Sequence, residues 1–240
     1  MWFTAILNKL LAAPVAHLML DAGQTPADPV HPIPNYMGME ILAILIILAM
    51  AMVLKSRLSV ENPGVFQQLM EEVVTFARST AEEIIGHDGL RYTALLGTLF
   101  ITVLVCNVMG LVPTLETPTG HIQVTLGFSV AAFLYYNYHG VRHHGLLGYL
   151  KHLSGPMLAL AVIMFPIEVI GNVGRLLSLS VRLYANMYVG DILDRVFTGL
   201  VPIGVPVIFD ALHLFVSLLQ AYIFMLLPAI YLSMALMEEH

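Results

Sequence analysis

Residues 155–236 read GPMLALAVIMFPIEVIGNVGRLLSLSVRLYANMYVGDILDRVFTGLVPIGVPVIFDALHLFVSLLQAYIFMLLPAIYLSMAL. Apart from a break near 201–206, where Pro202 and Pro206 fall, apolar side chains run almost without interruption. A bilayer's hydrocarbon core, about 30 Å thick, is crossed by about 20 apolar residues in helical form, because no water there can bond the backbone. The stretch therefore supplies two helices, near 155–198 and 203–236, and both exceed a perpendicular crossing. At about 1.5 Å per residue the first would extend about 60 Å, roughly twice the hydrocarbon thickness. Such a helix must tilt steeply, bend or break. Pro166, Gly171 and Gly174 offer places to bend, and the small residues admit a close neighbour.

The rest of the chain agrees with lipid as the solvent. Of its 240 residues 58% are hydrophobic and only 11% charged, where a soluble domain carries about 25% charge. The mean hydropathy is +0.84. Further spans are expected near 36–54 and 92–112, and a shorter, more polar one near 121–138. Between the first two, Asn62 and Pro63 form a helix start, an N-cap followed by proline at the first helical position. Behind them Phe66, Leu69, Val73, Ala77, Ala81 and Ile84 recur at helical spacing opposite Gln67, Gln68, Glu71, Glu72, Glu82 and Glu83. This segment, 63–85, is expected to lie in the membrane interface, with Gly86 ending it.

The fold class is therefore all-α: a polytopic membrane protein of about five transmembrane helices plus an interfacial amphipathic helix, the last two helices forming a long, strongly tilted hairpin. Residues 36–240 form a single membrane domain, and 1–35 an outer N-terminal segment and linker. The first twenty residues suit an amphipathic or loosely inserted leader rather than a cleaved signal, since no clean small-x-small site precedes Asp21. Pro26, Pro29, Pro32 and Pro34 mark an extended linker. Lys55, Arg57, Arg78 and Arg91 flank the interfacial helix, and Arg142 and Lys151 lie in the loop expected after the third span. Loops rich in Lys and Arg stay cytoplasmic, which puts the N-terminus outside and the C-terminus in the cytoplasm. The one cysteine, Cys106, sits in an apolar run and reads as a packing residue. No basic nucleic-acid surface, Cys-based metal site or P-loop is visible, and no cofactor is expected.

Ionisable groups at membrane depth cost about 3 kcal/mol or more and mark functional pathways. They cluster in the quoted stretch: Glu168, Arg175, Arg182, Asp191, Asp194, Arg195, Asp210 and His213. At about 100° per residue, Glu168, Arg175, Ser178, Arg182 and Asn186 share one stripe, with Asp191 on the side opposite Arg182. On the last helix Asp210, His213, Ser217, Gln220 and Phe224 follow three-four spacing. Arg182 and Gln220 lie equally far from residue 201, so folding the hairpin there brings the Gln220 amide toward the guanidinium. Asp191 then falls near Asp210 and His213 on the outward side, and Glu168 on the cytoplasmic side. Arginine stays protonated at any accessible pH, whereas carboxylates and imidazole can exchange protons near neutrality. Two half-pathways separated by a fixed cation require a mobile partner bearing its own carboxylate.

Plainer readings stand beside these. Arg182 could be paired with a carboxylate inside the bundle, and Asp191 and His213 could be interhelical hydrogen-bond partners. Glu168 could neutralise Arg175, while Asp194 and Asp210 could be solvated helix ends.

The run SLSVRLYANMYVGD at 178–191, the preceding FPIE at 165–168 and the closing LLQAYIFMLLPAIYLSMALMEEH at 218–240 together resemble the a subunit of F-type ATP synthases. The resemblance covers residues 92–240 and extends to the first span and the interfacial helix. It implies that Arg182 is the essential arginine facing a ring of c subunits, with Asn186 and Gln220 as its polar neighbours. It also implies that Asp191 and His213 belong to an outer half-channel, Glu168 to an inner one, and Arg175 to a second basic position. Family members can carry Glu where Asp191 stands. The implied role is proton translocation without bond chemistry in this chain, in a bacterial inner membrane. The c ring, the b subunits of the peripheral stalk and the remainder of the synthase would be its partners. Two other classes remain open. His139, His143 and His144 are spaced like one histidine box of membrane di-iron desaturases, although no second cluster accompanies them. A self-contained channel or secondary transporter would also place charges in spans, but no internal repeat is evident.

Overall fold

In the computed structural model, residues 2–21, 32–112, 114–154, 161–200 and 204–236 are described. Among them the chain is helical, without strands: α1 (Trp2–Asp21), α2 (Asn35–Ser56), α3 (Val65–Ile85), α4 (Thr93–Met109), α5 (Ile122–Ser154), α6 (Ala161–Leu200) and α7 (Val205–Leu236). Four helical segments, Asn35–Ser56, Asp88–Met109, Ile163–Leu200 and Val205–Leu236, are long and apolar enough to cross a membrane. The last two run to 38 and 32 residues, well beyond the roughly 20 a perpendicular crossing requires. The protein is thus an all-α, polytopic membrane protein.

α6 and α7 form an antiparallel pair whose register can be followed along its length. Phe197 and Phe209 stack with ring centroids 4.2 Å apart near the turn. Gly190 faces His213, and a Cβ at Gly190 would lie only 2.7 Å from His213 Nδ1, so glycine sets this approach. Further along, Ser217 Oγ lies 4.0 Å from Met187 Sδ. The Arg175 guanidinium carbon is 5.6 Å from the Tyr231 ring centroid. α5 runs parallel to α7, with Phe128 against Phe224, Tyr136 against Tyr231 and Gly140 against Ala235. Leu96 and Val103 of α4, Leu183 and Met187 of α6, and Met225 of α7 are fully buried in the shared core. Cys106 is buried with Met39, Ala43 and Met109 between α2 and α4.

The structure differs from the sequence expectations in four places. α3 begins at Val65 with Gly64 as its N-cap and no side-chain cap, not at Asn62–Pro63. Gln67, expected on the charged face, is buried: it accepts from the Ser59 amide (3.1 Å) and donates to the Ser59 carbonyl (3.0 Å). The preceding loop folds back over the helix start, and its backbone groups need partners there. Leu69 of the expected apolar face is instead exposed, while Ala77 and Ala81 are buried. Second, residues 139–154 are helical rather than a loop, with one break at Gly145 (φ 70°). Their side-chain packing explains it: His139 lies against Tyr92, Tyr135 and Tyr138 at centroid distances of 5.0, 4.4 and 5.3 Å. Third, the N-terminal segment is a docked helix. Asn8 donates to the Ile33 carbonyl and accepts from the Ile33 amide, both at 3.0 Å. Thr4 packs where a Cβ on Gly38 would stand. The fourth difference concerns Arg182 and is described below. Pro26 and Pro29 of the expected linker, residues 155–160 of the span expected at 155–198, and residues 201–203 of the expected break lie outside the described residues.

Candidate functional site

On α6, Leu179, Ser180, Leu183 and Met187 are buried while Ser178, Arg182 and Asn186 are exposed, so the polar stripe turns away from the bundle. Around it Leu177, Val181 and Val189 are also exposed. Arg182 is therefore a cation on a broad apolar surface. Among the described residues it makes no hydrogen bond or ion pair. No hydrogen bond joins it to the Gln220 amide. The register puts Gln220 close to the level of Arg182, but Gln220 belongs to the packed face of α7 and is 5% exposed. It too makes no hydrogen bond among the described residues. The reading of Arg182 as an arginine paired within the bundle fails on the same ground.

Two polar groups lie beyond this level, one toward each end of the hairpin. Toward the turn, Asp191 Oδ1 accepts from Thr117 Oγ1 at 3.0 Å. His213, arriving from α7, is 9% exposed, and its Nε2 is buried without a hydrogen-bond partner among the described residues. His213, Arg195 and Glu116 all lie close enough to Asp191 to act on its charge. The segment from Glu116 to His121 closes over these groups. His121 Nε2 lies 2.9 Å from Glu116 Oε1. Thr119 donates to Asn107 Oδ1 at 2.5 Å, and Asn107 Nδ2 reaches the Ser217 carbonyl at 3.4 Å. A cavity of about 770 Å³ opens here, lined by Glu116, Thr117, Asp191, Asp194 and Arg195 among others. A second, of about 430 Å³, is lined by Glu116, His121, Tyr184, Tyr188, Asp191 and Arg195. Asp194 accepts from Thr198 at 3.4 Å. Asp210 is exposed one turn beyond His213, is not among the residues lining either cavity, and makes no hydrogen bond or ion pair among the described residues.

Toward the other end, Arg175 Nη2 lies 3.0 Å from Glu168 Oε1, both side chains partly exposed. Tyr136 donates to Asn172 Oδ1 and Tyr149 to Asn137 Oδ1, each at 2.8 Å. Glu168 is thus the counter-ion of Arg175, and Asp191 is hydrogen-bonded between elements, as their plainer readings had it. Between the two groups the shared interior packs Leu179, Leu183, Met187, Ala221, Phe224 and Met225 around buried polar side chains, among them Ser217, Gln220 and the Thr125–Ser180 pair at 3.1 Å. The arrangement offers exchangeable groups at either end and a fixed positive charge on the open face at a level between them.

Glu116, Thr117, Thr119 and His121 were not singled out as site residues from the sequence. They sit in a short connection whose composition looks like an ordinary turn. Two glycines carry the only local signal: a Cβ on Gly110 would collide with Thr117 Oγ1, and one on Gly120 would lie 3.2 Å from Asp191 Oδ2.

Fold and site together define a membrane-embedded helical protein with two polar groups and an exposed arginine at a level between them. The family profile described as ATP synthase A chain matches residues 37–233. The chain is 41% identical, over its whole length and 98% of the relative's, to ATP synthase subunit a of Koribacter versatilis. It is 45% identical over 89% of its length to ATP synthase subunit a of Solibacter usitatus, covering 92% of that protein. The corresponding subunit of Bdellovibrio bacteriovorus is 38% identical over 74% of this chain and 76% of its own. The chain belongs to the ATP synthase A chain family, and so is a component of the membrane sector of that complex.

Proposed function

We propose that this chain is the proton-conducting stator subunit of a rotary F-type ATP synthase in a bacterial inner membrane, with its N-terminus outside and its C-terminus in the cytoplasm. The observation that carries this reading is Arg182: exposed, without a hydrogen bond or ion pair among the described residues, and set among apolar side chains. Left in lipid, such a group costs about 3 kcal/mol or more. A carboxylate on a neighbouring chain at the same depth would offset that cost, and a ring of c subunits supplies one carboxylate after another. An outside proton enters at the Asp191 end, through Asp191, His213 and Asp210, and neutralises a ring carboxylate. It rides around the ring and leaves past Glu168, with Arg175 beside it. Asn186, exposed one turn from Arg182, and Gln220 on the facing helix flank the point where the carboxylate loses its proton. Arg182 holds the ionised carboxylate and repels a proton moving straight from one polar group to the other. Each charge crossing releases about 2.3 kcal/mol per 100 mV, so several crossings are coupled to each catalytic event. Nucleotide chemistry takes place elsewhere in the complex, and the peripheral-stalk b subunits hold this chain still against the turning ring.

Arg182→Ala in the assembled complex is expected to abolish ATP-driven proton pumping while the soluble head, once detached, still hydrolyses ATP. Retained coupled pumping would refute the reading. The purified chain reconstituted alone should move no ions, where a self-contained transporter would.

A further inference from the structure

The geometry points to Thr117 as a positioning residue for proton entry, its hydroxyl holding the Asp191 carboxylate against the wall that two cavities share. This rests on the reading of Asp191 as part of the outer proton path. Thr117 is 1% exposed, in the connection before the short helical turn Pro118–Gly120, and donates to Asp191 Oδ1 at 3.0 Å across 74 residues of sequence. Two glycines make room for the contact. At Gly110 a Cβ would fall on the Thr117 hydroxyl, and at Gly120 a Cβ would stand 3.2 Å from Asp191 Oδ2. The carboxylate is therefore seated from two sides, one oxygen on a donor and the other over a bare Cα. Both cavities are lined by Asp191, Glu116 and Arg195. A carboxylate fixed in that wall can receive a proton from either cavity and stays within reach of His213. A freely rotating one would spend part of its time turned toward the Arg195 guanidinium. The seat also fits an aspartate: a side chain one methylene longer would press its carboxylate into Gly120 and Thr117.

The charged and titratable groups around this carboxylate come from three elements: Glu116 and His121 from the connection, Tyr184, Tyr188, Asp194 and Arg195 from α6, and His213 from α7. All of them are retained in Thr117→Val, which keeps the shape and removes the donor. The experiment compares Thr117→Val, Thr117→Ser, Gly120→Ala and Asp191→Asn in the assembled complex. It measures ATP synthesis driven by an imposed proton gradient as the outer pH is varied, normalised to incorporated chain.

Thr117→Val is expected to slow synthesis about tenfold, the worth of a hydrogen bond to a charged acceptor, and to displace the outer-pH profile by about half a unit or more. Thr117→Ser is expected to restore both rate and profile, which a merely structural role for the threonine would not require. Should the valine variant fail to assemble, Gly120→Ala tests the same seat from the other side, its methyl pushing on Oδ2 while the hydroxyl remains. A fully inactive Asp191→Asn beside a Thr117→Val or Gly120→Ala complex of wild-type rate and pH profile would overturn this inference and leave the proton path standing. An unimpaired Asp191→Asn would overturn the reading of Asp191 itself, and this inference with it.

Discussion

Replacing Gly190 by alanine tests the α6–α7 contact directly. In the middle of a helix, glycine to alanine ordinarily stabilises by about 0.5–1 kcal/mol, because glycine loses more backbone freedom on folding. Here the added Cβ would stand 2.7 Å from His213 Nδ1 and 3.1 Å from its Cε1, where contact distances near 3.5 Å or more are comfortable. The ring cannot swing clear cheaply, because His213 is buried and Ser217, one turn on, already packs against Met187. One helix must back away by about 0.8 Å, and overpacking of this kind costs about 1–3 kcal/mol. The clash outweighs the propensity gain, so the net change is a destabilisation of about 1–2 kcal/mol, or about 3–6 °C for a chain of this size. The assay is the temperature at which the detergent-solubilised complex loses this chain on a native gel. The double variant Gly190→Ala with His213→Ala serves as control: removing the ring should let the alanine express its helix preference and return the midpoint toward that of His213→Ala alone. A Gly190→Ala complex as stable as wild type, or a double variant no better than the sum of its parts, would refute the claim that glycine sets the spacing of these helices.

Two further outcomes follow from the polar contacts. Asn8→Ala removes both bonds to the Ile33 backbone and leaves that amide and carbonyl unpaired; α1 should detach from α2, seen as a marked gain in protease access to residues 2–21, while Asn8→Asp, which keeps the acceptor, should show an intermediate effect. Tyr136→Phe strands the buried Asn172 Oδ1 between α5 and α6; the loss should be about 1–3 kcal/mol, and Tyr136→Phe with Asn172→Leu should recover much of it in the same gel assay.

Much of this architecture was legible because hydropathy and periodicity are local properties of the chain. The helix of α2 followed from an apolar run of bilayer length, and the long hairpin from two runs longer than a perpendicular crossing requires. The opposition of Arg182 and Asp191 on α6 followed from their separation along a helix that returns about every 3.6 residues. Even the level of Arg182 with Gln220 could be obtained by counting from the prolines near 201. What could not be counted was which side of each helix its neighbours would cover. Gln67 looked solvent-facing until a preceding loop folded over it, and the stretch from His139 to Ser154 looked like a loop until Tyr92, just before α4, and aromatic neighbours in α5 packed around His139.

The same division holds at the site. Sequence alone determined that this is a membrane protein, that the ionisable residues set within apolar runs cluster on the final two helices, and that an arginine stands between groups able to exchange protons. Only the tertiary structure decided that Arg182 faces outward without a partner among the described residues, that Glu168 answers Arg175, and that Asp191 is held by Thr117 from a connection far away in the chain. The physical reason is range. A helix and its stripes are set by interactions within a few residues, whereas a buried carboxylate takes whichever donor packing delivers, and that donor is fixed by how whole helices settle against one another.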